Sequence, residues 1–116
     1  MTHKDLEVWK RSIDLVIKIY DLSKRLPSDE KFGLLSQIKR SSISTPSNIA
    51  EGAGRKSTKE YLRFLDIANG SLSELETQLI IIEKLNYQKT DDLINVELTT
   101  IRKMLYRLRQ SLYKKL

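Results

Sequence analysis

The chain has 116 residues, of which 40% are hydrophobic and 31% are charged, and its formal net charge is +6. This length suits one domain with a single core and is too short for two. Cysteine is absent, which excludes disulfides, thiolate nucleophiles and cysteine-ligated zinc. The four glycines and two prolines are few, while Leu, Ile, Lys, Arg and Glu are abundant, a composition typical of an all-α protein.

The positive charge lies at one end of the chain. Residues 1–97 contain fifteen basic and fifteen acidic residues, whereas residues 98–116 contain six basic residues and no acidic residue. A segment of this kind indicates an anionic partner, either nucleic acid or an acidic protein surface. No apolar run of membrane-spanning length and no signal peptide occurs, so we expect a cytoplasmic protein with no membrane partner.

The first predicted helix spans about residues 5–25. Its apolar face, with steps of three and four residues, contains Leu6, Trp9, Ile13, Val16, Ile17 and Tyr20. We expect Trp9 to be buried on this face, where its indole N–H needs a partner. Leu15 and Ile19 fall outside the face and are interpreted as subunit contacts. Pro27 ends the helix, because the residue before a proline is disfavoured in the α conformation.

The second predicted helix spans about residues 28–53, with Ser28 as its N-cap. Pro46 removes one backbone hydrogen bond and therefore predicts a kink or a break. The basic corner at residues 51–57 follows, where Gly52 and Gly54 suit a left-handed turn. The corner does not have the spacing G-x-x-x-x-G-K-[ST] and no strand precedes it, so a phosphate-binding P-loop is rejected.

The third predicted helix spans about residues 57–85, and Ser57 and Glu60 have the spacing of a capping box at its start. Its core positions are Leu62, Leu65, Ala68, Leu72, Leu75, Leu79 and Ile82. The helical period continues through Asn69-Gly70, so we interpret Gly70 as the site of a close helix crossing rather than a hairpin turn. Ile80 and Ile81 lie off the core stripe and are also interpreted as subunit contacts.

The fourth predicted helix spans about residues 91–115. Its heptad seam contains Ile94, Leu98, Ile101, Leu105, Leu108 and Leu112. Four helices joined by short connections predict an all-α, up-down-up-down four-helix bundle.

Polar and small residues accumulate where the second and third helices are expected to meet. They are Ser42, Asn48, Glu51, Gly70, Ser71 and Glu74. Buried polar groups are normally hydrogen-bonded, so the favoured interpretation is a structural cluster, and a polar binding site is the alternative. The only histidine, His3, lies near the start of the chain, which leaves no metal site and no histidine-activated serine. We therefore expect a protein without cofactor that is not an enzyme.

Several segments resemble the 23S rRNA-intervening-sequence protein family. They are Leu6-x-x-Trp9, Gln37-Ile38-x-Arg40-Ser41-x-x-Ser44, Pro46-Ser47-Asn48-Ile49-Ala50-Glu51-Gly52 and Tyr61-x-x-Phe64-Leu65-x-x-Ala68-x-Gly70-Ser71-x-x-Glu74-Leu75-Glu76. One departure is Thr45, since the family often has a small or apolar residue before the proline. The resemblance implies a bacterial four-helix bundle that assembles as a homopentameric ring. It also implies similarity to the accessory variability protein of diversity-generating retroelements, a basic pentamer that binds nucleic acid and a reverse transcriptase.

The leading hypothesis is a non-enzymatic oligomer that binds structured RNA, in preference to DNA, through phosphate contacts. The predicted contact residues are Arg102, Lys103, Arg107 and Arg109, joined by Arg40, Arg55, Lys56 and Lys59. For the last three, a solvated corner is an equally good interpretation. Tyr61, Phe64, Tyr106 and Tyr113 have helical spacing near core positions, so base stacking is not expected. The alternative hypothesis is an interaction scaffold that binds an acidic protein.

Overall fold

The computed structural model describes residues 2–116, in which four α-helices and no strand occur. The helices are α1 (Glu7–Ser23), α2 (Leu34–Ala53), α3 (Thr58–Lys84) and α4 (Thr99–Tyr113). A π-helical segment, Leu93–Leu98, leads directly into α4. Short 3₁₀ turns occur at His3–Asp5 and Ser28–Glu30. The all-α prediction is confirmed, and the predicted third helix agrees with α3 to within one residue at each end.

Contacts between side chains show that consecutive helices run antiparallel. Along the α2–α3 contact, Ser41 hydrogen-bonds to Gln78, whereas Gly52, later in α2, lies against Phe64, earlier in α3. Along the α3–α4 contact, Arg102 pairs with Glu76 and Arg109 pairs with Asp66. Lys39, early in α2, lies over Tyr20, late in α1, whereas Trp9 and Ala50 line one groove, so α1 and α2 are also antiparallel. Since α1 also contacts α4, the four helices form an up-down-up-down bundle.

The predicted core positions of α3 and α4 are largely correct. All seven apolar core positions predicted for α3 are buried, as are Leu98, Ile101, Leu105 and Leu112 of the fourth helical region. Ile94 and Leu108 are partly buried and pack against this core. Ser57 caps α3 by accepting a hydrogen bond from the Glu60 N–H at 3.1 Å, which confirms the serine half of the capping box.

The predicted apolar face of α1 is only partly correct, because Leu6 and Trp9 pack against the core while the fully buried positions lie on a neighbouring stripe. Leu15 and Ile19 are fully buried, whereas Ile17 is 64% exposed. The inward stripe also contains Ser12 and Ser23, whose hydroxyls donate to the carbonyls of Trp9 and Tyr20 at 2.7 Å. These serines satisfy their own hydrogen bonds and can therefore be buried. Leu15 and Ile19 belong to the core and are not subunit contacts.

Three residues of the predicted stripe, Trp9, Ile13 and Val16, line a shallow apolar groove between α1 and α2. We call it the α1–α2 groove; it has a volume of about 300 Å³ and is lined mainly by His3, Trp9, Ile13, Val16, Ile43, Pro46 and Ala50. Trp9 is only partly buried, with its ring edge-on to His3 at a centroid distance of 5.1 Å. Within residues 2–116 its indole N–H has no hydrogen-bond acceptor, so the predicted internal partner is not found.

The second helix begins six residues later than predicted and is not broken. Ser28 opens a 3₁₀ turn instead of capping α2, and Gly33 precedes the helix with non-helical backbone angles. Glycine is unfavourable inside a helix by about 1 kcal/mol relative to alanine, which favours a start after Gly33. The Glu30 carboxylate accepts from the Leu34 N–H and from the Tyr87 hydroxyl, and the latter bond raises the pKa of Tyr87. α2 continues through Pro46, so the predicted break is wrong, while a kink stays a prediction.

The predictions for Gly52, Gly54 and Gly70 are not confirmed. No glycine among residues 2–116 has a positive φ, so the predicted left-handed turn at Gly52 and Gly54 is wrong, and only Asn86 adopts this conformation, with φ 61°. A Cβ on Gly52 would lie 2.9 Å from Phe64 Cβ, whereas a Cβ on Gly70 would meet nothing within 4 Å. The close helix crossing is therefore at Gly52 and not at Gly70.

We predict that Gly52→Ala destabilises the protein by about 1–2 kcal/mol, because the added methyl group overpacks the α2–α3 contact. Gly70→Ala is the matched control and should stabilise by about 0.5–1 kcal/mol, since it adds helix propensity in open space. Urea unfolding at one fixed protein concentration measures both changes. Equal stabilisation by the two substitutions would show that the α2–α3 approach at Gly52 is not tight.

The π-helical segment carries a buried acidic residue, Glu97, between α1 and α4. Its carboxylate lies 2.9 Å from Lys18 Nζ and 3.3 Å from Arg11 Nη2, and its side chain is 9% exposed. Burial raises the pKa of Glu97, but the hydrogen bonds and charges of Lys18 and Arg11 outweigh it, so that the pKa lies below its ordinary value. The ionised form is thus favoured by the fold and joins α1 to the start of the fourth helical region.

We predict that Glu97→Gln lowers the free energy of unfolding at neutral pH by about 1–2 kcal/mol. Because the folded pKa is depressed, the wild-type stabilisation is present above the unfolded pKa and is lost as the pH falls through the folded value. The difference between wild type and variant should therefore shrink on acidification. Thermal unfolding across the acidic range tests this, and a constant difference would contradict it.

Candidate nucleic-acid interface

One face of α4 carries exposed basic residues in a line. Lys103 and Arg107 of α4 and Lys114, the C-cap residue directly after it, are all exposed, and their spacing of four and seven residues places them on the same side of the helix. α4 itself contains no acidic residue. Among residues 2–116, none of the three forms an ion pair. We call Lys103, Arg107 and Lys114 the basic stripe.

The other two predicted α4 contacts are already paired within the fold. Arg102 forms an ion pair with Glu76 of α3 and lies 3.3 Å from Ser73 Oγ. Arg109 Nη2 lies 2.6 Å from Asp66 Oδ1, also on α3. The acidic residues that neutralise them lie far earlier in the chain, so the charge of α4 by itself overstates the free positive charge of this face.

The four additional predicted residues do not form one patch with α4. Arg40 pairs with Glu74 across the α2–α3 contact, on the side of α3 away from α4. Arg55 lies 2.5 Å from Glu51, with its guanidinium 4.7 Å from the centre of the Phe64 ring.

Lys56 and Lys59 are exposed and form no ion pair within residues 2–116. Lys59 lines a groove with Arg63 of α3 and Tyr113 of α4. The structure thus brings Lys59 to the α3–α4 side, leaves Lys56 at the corner between α2 and α3, and separates Arg40 from both.

Two tyrosines of α4 are exposed, contrary to the prediction. Tyr106 is 61% exposed and Tyr113 is 46% exposed, whereas Tyr61 and Phe64 are partly buried beside Gly52. Burial raises the pKa of Tyr61. The exposure of Tyr106 and Tyr113 was predictable from the heptad seam of α4. Each of them follows a seam leucine by one residue and therefore points away from the core.

A groove of about 520 Å³ lies between α3 and α4. We call it the α3–α4 groove, and its polar and aromatic lining residues are Asn69, Arg102, Lys103, Tyr106, Arg107 and Arg109. Arg109 Nε is buried and has no hydrogen-bond acceptor among residues 2–116. Positive charge, an exposed ring and a free buried donor therefore meet at one place.

The predicted polar cluster between α2 and α3 separates into several structural contacts. Ser44, which the sequence analysis missed, hydrogen-bonds to Ser71 at 2.7 Å and accepts from Asn48 Nδ2 at 2.9 Å through its hydroxyl. Asn48 Nδ2 also lies 2.8 Å from the Ser44 carbonyl.

The remaining members of the predicted cluster lie apart. Ser42 donates to the Lys39 carbonyl within α2, while Glu51 and Glu74 hold arginines. Gly70 is exposed and contacts none of them. The geometry supports hydrogen-bond satisfaction between helices rather than a binding site.

The family comparison bears on this arrangement. The model of the 23S rRNA-intervening sequence protein family matches residues 4–107. The chain belongs to this family. The matched range includes all of the first three helices and the part of α4 with Lys103 and Arg107. None of the curated proteins matches the chain.

Thr45, which stands where the family often has a small or apolar residue before the proline, fits within the core of this chain. Thr45 is fully buried, and its hydroxyl donates to the Ser41 carbonyl at 3.3 Å, one turn earlier in α2.

Across residues 2–116, no helix is long and apolar enough to cross a membrane. Over the same residues, no group of three acidic or histidine side chains is arranged to hold a metal ion.

We predict that Asn48→Ala lowers the melting temperature, because it removes the amide that binds the Ser44 carbonyl and hydroxyl, at a cost of about 1 kcal/mol. RNA affinity should not change if the cluster is structural. Ser36→Ala, an exposed substitution on the same helix, is the control. Loss of RNA binding by Asn48→Ala at an unchanged melting temperature would instead identify a binding site.

Proposed function

We propose that this 23S rRNA-intervening sequence protein is a non-enzymatic oligomer that binds structured RNA through the phosphate backbone. The basic stripe carries this proposal, because Lys103, Arg107 and Lys114 are exposed, aligned and free of ion pairs within residues 2–116. Their span along the helix is about 16 Å at a rise of 1.5 Å per residue. Cations spaced over this length contact several phosphates without reading the sequence.

The paired arginines have a second role in this proposal. Arg102 and Arg109 lie beside the stripe and are neutralised by carboxylates of α3, so their role in this proposal is to hold α4 in a fixed orientation. Lys59 extends the positive surface toward the start of α3. RNA is favoured over DNA because the family is named for intervening sequences of 23S rRNA.

We propose further that the protein associates with itself, as the homopentameric ring that the family resemblance implies. The support is apolar surface that stays exposed within residues 2–116, on both sides of the α1–α2 groove. Ile17 is 64% exposed and Ile43 is 42% exposed, and Phe32, in the connection between these helices, is 90% exposed. A ring would present several basic stripes to one RNA molecule, and the combined affinity would exceed that of one subunit.

The competing proposal is an oligomeric scaffold that binds an acidic protein. One observation favours it: arginines of α4 already pair with the carboxylates Asp66 and Glu76 of a neighbouring helix. The same face is therefore able to hold acidic side chains supplied by another chain. The two proposals differ in whether the basic stripe binds RNA in the purified protein.

We predict that Lys103→Ala/Arg107→Ala weakens binding of a structured RNA hairpin at least ten-fold at low salt. The slope of log affinity against log salt should become shallower by about 1.5, as expected for two lost phosphate contacts. Fluorescence anisotropy with a labelled hairpin, titrated over a range of salt, measures both quantities.

The matched control is Lys24→Ala/Lys84→Ala, which removes two exposed cations that lie outside α4, at the C-terminal ends of α1 and α3. It should leave affinity within about two-fold. Native mass spectrometry establishes that each variant keeps its subunit number. If the intact wild-type oligomer binds no RNA at low salt, the RNA proposal is wrong and the scaffold proposal takes its place.

A further inference from the structure

We propose that Tyr106 and Tyr113 form a stacking platform for unpaired bases, so that the basic stripe and the platform together select single-stranded segments of RNA. This inference rests on the proposed function and adds the part of the RNA that is recognised. It departs from the sequence-based expectation of backbone binding alone.

The spacing of residues along α4 supports the platform. Tyrosines and arginines alternate at Arg102, Tyr106, Arg109 and Tyr113, with steps of four, three and four residues, which places all four on the side of the helix next to α3. The two tyrosines are seven residues apart and therefore separated by about 10 Å along the axis. This separation suits two bases of an extended strand rather than two adjacent bases stacked in a duplex.

The arginines of this alternating set are fixed, while the tyrosine rings are free. Arg102 and Arg109 are held against α3 by Glu76 and Asp66, whereas Tyr106 is 61% exposed and Tyr113 is 46% exposed. A guanidinium that is already held in place beside a ring requires little further ordering when a base binds. Stacking of bases on aromatic rings beside arginine is the usual way in which proteins bind single strands.

The α3–α4 groove provides polar groups for the edge of a base on Tyr106. Asn69 lines the groove and its amide offers both a donor and an acceptor. Arg109 Nε is a buried donor that has no acceptor among residues 2–116. That donor has essentially no exposed surface, so the Asn69 amide is the polar group that this groove offers to the edge of a base.

The phosphates of such a strand would reach the basic stripe. Lys103 and Arg107 each adjoin a residue of the alternating set and also line the α3–α4 groove, so charge and ring border the same space. Tyr113 has a comparable environment, because Lys59 and Arg63 of α3 line the groove beside it. Each tyrosine therefore has basic residues within its own groove, although the groove at Tyr113 is also lined by the Asp66 carboxylate.

A paired helix would not use this arrangement fully. The faces of its bases are covered by their neighbours, so a duplex can contact the stripe but not stack on the tyrosines. The inference consequently predicts a preference for loops, bulges and single strands, with little dependence on base identity because every base has a face to stack.

The test compares a hairpin that carries 2-aminopurine in its loop with a fully paired duplex of the same length. We expect Tyr106→Ala to weaken binding of the loop at least ten-fold, with duplex affinity unchanged. It should also reduce the quenching of 2-aminopurine fluorescence on binding. Tyr113→Ala should have the same direction of effect. Tyr106→Phe keeps the ring and should retain the loop preference.

The matched control is Tyr20→Ala, which removes another exposed tyrosine, on α1, where Lys39 lies over its ring. It should leave loop binding unchanged. Equal loss of loop and duplex affinity in Tyr106→Ala would overturn the inference, as would a change in native mass, which would assign the tyrosine to a subunit contact. Tighter binding of a DNA loop than of the RNA loop would overturn the assignment to RNA.

The outcome also separates this inference from the function on which it rests. If Lys103→Ala/Arg107→Ala abolishes binding while neither tyrosine variant has an effect, the backbone-binding function holds and the platform is wrong. If the wild-type protein binds no RNA, both proposals fail.

Discussion

The close contact of α2 with α3 is the constraint on which the rest of the fold depends. At Gly52 the two backbones approach so closely that no Cβ fits without movement, and further along the same contact Ser41 and Ser44 hydrogen-bond to Gln78 and Ser71. Small residues permit the approach, and the serine hydroxyls satisfy one another in place of water. Because α3 is held in this way by α2 on one side, its other side is presented to α4 in a fixed orientation.

That orientation determines which charges of α4 are neutralised. Asp66 and Glu76 project toward α4 and pair with Arg109 and Arg102, so the arginines serve the contact between helices. Lys103 and Arg107 form no ion pair within the part of the chain that the structure describes. All charged residues of α4 are basic, but they are thus divided between one side that forms ion pairs with α3 and another side that does not. The partition depends on tertiary structure, and it separates the residues that hold the helix in place from those available to a ligand.

The core positions could be predicted where the sequence of a helix contains only one apolar stripe. α3 and the heptad seam of α4 each offer only one stripe, so their core positions followed directly. α1 offers two, and the choice between them depends on Ser12 and Ser23, which are buried because their hydroxyls reach backbone carbonyls. The pairing of Arg102 and Arg109 was not predictable, since it requires knowing how α3 and α4 are aligned. The location of candidate contacts on α4 was evident from composition, whereas their accessibility required the tertiary structure.

The π-helical segment has a consequence for the direction in which α4 presents its residues. A π-helical turn holds one residue more than an α-helical turn, and here the Thr99 hydroxyl bonds to the Ile94 carbonyl, five residues earlier. One residue of an α-helix corresponds to a rotation of about 100° about the helix axis. The segment therefore sets the angular orientation of α4. Without the added residue, the side that carries the tyrosines and the neighbouring side that carries the basic stripe would both turn by roughly a quarter of a revolution relative to the connection that precedes α4. Insertions and deletions between Thr90 and Thr99 would thus change the direction in which α4 presents its tyrosines and its basic stripe, without altering any of those residues.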